Sequence, residues 1–257
     1  MKGLISIIKA EIYKSLCGKA FKILCGIMLI YSTLYLIDFR RLLFKQLKID
    51  YISVQIAGSN ILINSGINNL LMYMIPIIII LVFTEDYQRN NILRCYDSVK
   101  SRGTIFWGKY FSFLILTGLL VFGTGIYLTT FGTVAYGWGD SSVVLGDIFM
   151  ILLKIVFAYT TYGTLSIVLS VIIPQNAVVI IFYFVFSIID SIIYSIVINI
   201  RLNSIDIIRM IFPTHYIGEC MQLISGFEKN VIYISVLLII SLICMFVGSI
   251  IINTKNY

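Results

Sequence analysis

VIYISVLLIISLICMFVGSIII, residues 231–252, runs for 22 positions without a charged side chain. As a helix rising ~1.5 Å per residue it is ~33 Å long, enough to cross a hydrocarbon core ~30 Å thick. The rest of the chain is of the same kind. Of its 257 residues, 60% are hydrophobic and 12% are charged, and the mean hydropathy is +1.00. A water-soluble domain of this length has no interior large enough for so much apolar surface. The composition therefore predicts an all-α integral membrane protein.

Five further apolar runs predict spans at 21–37, 67–83, 110–131, 148–173 and 177–199, which with 231–252 makes six. Pro76 falls inside the second and predicts a kink. An even number of spans leaves both termini on one side. With the N-terminus inside, inner segments carry eleven Lys and Arg and outer segments seven. The excess predicts both termini in the cytoplasm. The first 20 residues place Leu4, Ile5, Ile8, Ile12 and Leu16 on one helical face and Lys2, Lys9 and Lys14 mostly on another, which predicts a helix lying in the inner interface. The basic start is not followed by a cleavage site of the small-residue type, so a cleaved signal peptide is not expected. No appended soluble domain and no internal repeat is expected either.

Several kinds of chemistry find no materials here. The net charge of +7 is accounted for by residues flanking the spans, and no basic, aromatic-interleaved polar face points to nucleic acid. Cys17, Cys25, Cys95, Cys220 and Cys244 are scattered and have no nearby His, so neither a disulfide framework nor a metal site is expected. His215, the single histidine, has no second ligand or nucleophile at useful spacing. An intramembrane protease would need paired aspartates, a Ser–His pair or a zinc site, and the spans hold one Asp. No cofactor is expected in this chain.

GTIFWGKY, residues 103–110, comes within one residue of the phosphate-binding loop G-x-x-x-x-G-K-[ST]. Such loops need small residues whose backbone N–H groups reach the phosphates, followed by an aliphatic hydroxyl for magnesium. Here Ile105, Phe106 and Trp107 fill the loop, and Tyr110 replaces the Ser or Thr. ATP hydrolysis by this chain is not expected. The wider segment, FTEDYQRNNILRCYDSVKSRGTIFWGKYF, mixes acids and bases around amphipathically spaced Ile92, Cys95, Tyr96 and Val99. That predicts a short helix presented to another protein at the inner surface.

On these residues the chain resembles an ABC type-2 permease, the six-span membrane subunit of bacterial exporters. The likeness is carried by an E-x-x-K start (Glu11, Lys14), by a coupling loop of the form E…R…(S)R…GK (Glu85, Arg89, Ser101, Arg102, Gly108, Lys109), and by a Pro-containing segment before the last span (Ile211-Phe212-Pro213-Thr214). Gln88-Arg89-Asn90-Asn91 stands where members often carry a glycine–threonine pair. In size the chain is similar to the permeases of lantibiotic immunity and bacitracin export. The resemblance implies a separate ATP-binding subunit, dimerised beneath two permeases that are identical or homologous, in the bacterial cytoplasmic membrane. It implies a cytoplasmic coupling helix whose contacts are Asp86, Arg89, Arg94, Asp97 and Arg102, with Glu85 holding the loop to the N-terminal helix. The substrate class it implies is an amphipathic, hydrophobic or cationic peptide moved out of the bilayer. An ion-coupled secondary transporter and a non-transporting assembly subunit are the alternatives.

Two ionisable residues lie well inside spans, Lys154 and Asp190. Each costs ~2.5–3.5 kcal/mol at mid-membrane on insertion scales. Counted from the outer ends of their spans, they fall at similar depths on adjacent antiparallel helices. They can form an ion pair, structural or on the substrate path. Alternatively, Lys154 snorkels outward and Asp190 bonds Ser187, Ser191 or Tyr194.

Overall fold

A computed structural model describes residues 2–46, 58, 67–84, 102–138, 144–173, 175–199 and 227–254, and their regular structure is entirely helical. The elements are α1 (Lys2–Cys17), α2 (Lys19–Gln46), α3 (Ile67–Ile79) continuing into a π-turn (Ile80–Thr84), α4 (Arg102–Tyr136), α5 (Leu145–Ile172), α6 (Asn176–Asn199) and α7 (Phe227–Thr254). Five of them, α2, α4, α5, α6 and α7, are long and apolar enough to cross a membrane. That is the make-up of a multi-pass membrane protein. The apolar part of α3 with its π-turn, Leu70–Thr84, is shorter.

Helix α5 is the axis of the bundle. Of its membrane-length window 72% is buried, against 22% for each of α2, α6 and α7, and it packs on α7, α6, α4 and α3. Its position explains its polarity. Thr160, Thr161, Thr164, Ser166 and Ser170 are all buried, a pattern that would be costly against lipid. Their hydroxyls donate to carbonyls of the preceding turn, as Thr164 Oγ1 does to Thr161 O at 2.6 Å. Thr161 also meets Ser241 of α7 at 3.0 Å. Small residues allow the close crossings that such packing requires. A Cβ on Gly163 would sit 2.5 Å from the Phe113 ring, and one on Gly248 would sit 2.7 Å from Phe106.

Helices α2 to α7 run alternately up and down. Tyr136 near the end of α4 donates to Leu36 O of α2 at 2.8 Å, which sets one end of the bundle. At the other, Gly103 of α4 lies against Ser249 and Asn253 of α7. Helix α1 packs at this second end, along α4, α2 and the π-turn.

Helices run beyond the apolar spans expected within them. Helix α4 has 35 residues, ~52 Å at ~1.5 Å per residue. It starts at Arg102, eight residues before the expected span at 110–131, because Arg and Lys are good helix formers and do not interrupt the ladder. It ends at Gly137, whose φ of +81° allows its N–H to bond Thr133 O at 2.9 Å, a left-handed C-terminal cap. In the same way α2 continues past Ile37, through Asp38 and Arg40, to Gln46.

The face of α1 also differs from the one expected. Leu4, Ile7, Ile8, Glu11, Ile12 and Ser15 turn toward the bundle, at spacings of three and four. Ile5 and Leu16 stand out instead, with Tyr13, among the exposed apolar residues. Helix α1 therefore has two apolar flanks, one packed on the protein and one left outward.

Candidate functional site: a charged junction and a buried carboxyl

The near-miss motif is the opening of α4. Residues 103–110 are helical from end to end, so they form no phosphate-cradling loop. Two of them join α4 to α1. A Cβ on Gly108 would fall 2.6 Å from Ile7 Cγ2, so glycine here is what lets the two helices touch. One turn on, Ser112 Oγ donates to Gly108 O at 2.9 Å and lies 3.5 Å from Ile8 O.

Lys109 makes the second link. Its Nζ lies 2.9 Å from Glu11 Oε1, with side-chain exposures of 3% and 12%. The same ammonium donates to Val82 O, in the π-turn, at 2.6 Å. A π-turn carries one more residue than an α-turn and is stable where another group satisfies or packs against its displaced backbone. Here Lys109 supplies that group. Thr84 Oγ1 adds a bond to Ile80 O at 3.1 Å, and Phe83 packs edge-on against Phe106 of α4 at 5.9 Å. Pro76, without an N–H, sits one turn before the π-turn and interrupts the ladder there. One cation thus ties α1, the end of α3 and the start of α4. Breaking a buried pair of this kind by removing one partner costs ~3–5 kcal/mol.

Glu11 has a second neighbour. Lys14 Nζ stands 3.7 Å from Glu11 Oε2, one turn along α1, so the E-x-x-K start is a real pair at the rim of the junction. The Oε2 atom is nonetheless buried and accepts no hydrogen bond from the described residues.

Of the residues expected at the coupling surface, Arg102 is the first of α4. Glu85, Asp86, Arg89, Arg94 and Asp97 lie outside the described residues, as do His215 and the segment around Pro213. Glu85 was expected to hold the loop to the N-terminal helix; within the described residues that tie is made by Lys109 and Glu11.

The intramembrane residues are both inside the protein. Lys154 is 1% exposed and Asp190 4%, so Lys154 does not snorkel to the surface of this chain. Asp190 Oδ2 accepts from Tyr162 Oη, on α5, at 2.5 Å. Ser187, one of the expected partners, donates to Phe184 O instead, at 2.9 Å. Tyr162 also meets the rings of Tyr183 and Phe186 edge-on, at 6.2 and 5.9 Å. The hydroxyl of Tyr183 is fully buried and has no hydrogen-bond partner among the described residues. Sequence reasoning missed both tyrosines. The available signal was a phenol at mid-span, which when buried usually seeks a polar partner.

Among the described residues no group of three His, Cys, Asp or Glu could hold a metal ion. A cleft of about 260 Å³ lies between α5, α6 and α7, lined by Val168, Ile172, Phe182, Ile243, Cys244 and Val247 among others. A scan against models of protein families finds none that matches this chain, and a search of curated proteins finds none significantly similar to it.

Proposed function

We propose that this chain is the membrane-spanning permease subunit of an ATP-driven exporter, energised by a separate ATP-binding subunit. The observation that carries the reading is the junction of Glu11, Lys109 and Val82 O. It fastens both ends of the 85–101 segment, α3 on one side and α4 on the other, to an interfacial helix. Force applied to that segment would reach three helices at once. In this reading α3 is a sixth span despite its short apolar part, and both termini are cytoplasmic in a bacterial membrane. Two permeases, identical or homologous, would sit above an ATPase dimer and move a hydrophobic or cationic peptide, of the lantibiotic or bacitracin kind, out of the bilayer. The chain itself would need no cofactor and catalyse no reaction.

A second reading, an ion-coupled transporter, draws on the buried Asp190–Tyr162 bond and the unpartnered Tyr183 hydroxyl. Intramembrane carboxyls mark ion paths in many transporters. One carboxyl in the described interior is a sparse path, so the first reading is preferred.

The test uses a soluble ATPase encoded beside this chain. Its ATP turnover should rise when the permease is present in lipid nanodiscs, and should fall to the basal rate with Asp86→Arg and Arg102→Glu combined. Turnover indifferent to the permease would refute the reading.

A further inference from the structure

We propose that Lys109 is a positioning residue: held by Glu11, its ammonium fixes the π-turn Ile80–Thr84 and so sets the direction in which the chain leaves α3. The inference starts from geometry. A π-turn differs from an α-turn by one residue, and one residue of helix is ~100° of rotation and ~1.5 Å of rise. Returning Ile80–Thr84 to the α register would therefore swing the exit at Thr84 by about a quarter turn. Pro76 weakens the ladder one turn earlier and Thr84 bonds Ile80 O, but the residues between them do not demand the π form. Ile80, Leu81, Val82 and Phe83 are ordinary apolar residues, and the displaced backbone is stabilised from outside by the Lys109 bond to Val82 O.

The lysine is itself conditional. It lies buried beside Val82 because Glu11 Oε1 neutralises it at 2.9 Å, and Glu11 is placed by α1, which Gly108 admits against α4. The position of the interfacial helix thus determines whether the cation is available to Val82 O. Moving α1 away would take Glu11 from the ammonium, weaken its hold on the carbonyl and free the π-turn to change register. The reverse holds too, because a pull on the chain at Thr84 would load the same bond and be felt at α1. That this exchange transmits ATP-driven motion rests on the proposed function; the positioning itself does not.

Charge exchange separates the two duties of Lys109. Glu11→Lys with Lys109→Glu can rebuild the ion pair, but a carboxylate at 109 cannot donate to Val82 O. Amide hydrogen exchange on the full chain in nanodiscs reads both. In the exchanged variant the Val82–Thr84 amides should exchange at least ~10-fold faster than in the wild type, with α1 as protected as before. Wild-type protection at Val82–Thr84 in that variant would overturn the proposal. Lys109→Met, of similar length, is the second variant should the first not fold. Faster exchange centred on the π-turn is expected of it, and unchanged exchange there would equally overturn the proposal. A final arm adds the ATPase subunit with and without a non-hydrolysable nucleotide to the wild type. A nucleotide-dependent change at the π-turn supports its use in coupling. No change would count against the coupling reading and leave the Lys109 result to stand alone.

Discussion

The bond between Tyr162 and Asp190 makes the sharpest energetic prediction. Tyr162→Phe removes one oxygen and keeps the ring, so the edge-on contacts with Tyr183 and Phe186 survive and the loss reports the hydroxyl. Asp190→Leu removes the acceptor at similar volume. Two estimates bear on the coupling between them. Hydrogen bonds to charged groups in water-soluble proteins are worth ~1.5–3 kcal/mol. Interhelical bonds in membranes average only ~0.6 kcal/mol and reach ~1.7, because the unfolded chain in the bilayer also finds partners. The second estimate sets the ceiling here. Both residues are buried, so a coupling between that average and that ceiling, ~0.6–1.7 kcal/mol, is expected. The assay is a double-mutant cycle, with unfolding of the chain in mixed micelles followed by tyrosine and tryptophan fluorescence. Two losses that add to within ~0.3 kcal/mol would show that the pair is not coupled. The reasoning about the α5–α6 interface would then fail.

Other consequences follow from the packing. Gly108→Ala should loosen α1, since the new methyl meets Ile7 at its branch point rather than at a flexible tip. Overpacking of ~1–3 kcal/mol outweighs the ~1 kcal/mol that Ala gains over Gly in a helix, and faster proteolysis within residues 2–17 would reveal it. Unaltered cleavage would refute the close approach. Lys154→Met should recover part of the stability lost in Asp190→Leu, by at least ~1 kcal/mol, if the two charges offset each other. Independent losses would dissolve that pair. Ser241→Ala should cost ~0.6 kcal/mol, the membrane average, and Thr161→Ala on top of it should add less than it does alone. Strict additivity would argue against the bond seen at 3.0 Å.

The helices were legible in the sequence because a bilayer asks for one property, sustained apolarity, and residues 231–252 satisfy it with no ambiguity. The expected spans all overlap helices, including the one at 67–83. What the sequence hid is of three physical kinds. Helix ends were hidden because an apolar run marks only the part of a helix that crosses lipid, and Arg102 and Lys109 extend α4 beyond it. The face of α1 was hidden because both Ile5 and Ile7 are apolar, and only Gly108 opposite decides which one is received. Interhelical partners were hidden because nothing in α6 announces that Asp190 meets Tyr162 of α5. The GK pair shows the same limit from the other side. Its spacing suggested a nucleotide loop, whereas its helical setting makes Gly108 a contact point and Lys109 a cap for a π-turn. The acids and bases at 85–97 lie outside the described residues, so their expected role stands on the resemblance alone.

Under the proposed function, this chain is energised by an ATPase subunit that it does not contain. Co-purification is the experiment to make. The tagged chain is expressed with its chromosomal neighbours, solubilised gently, and its companions are identified by mass. A stoichiometric soluble subunit with an intact phosphate-binding loop is expected, lost when Asp86→Arg is combined with Arg102→Glu. A chain that purifies alone and moves its substrate in proteoliposomes without ATP would contradict it. Attention would then pass to Lys154, Tyr162 and Asp190.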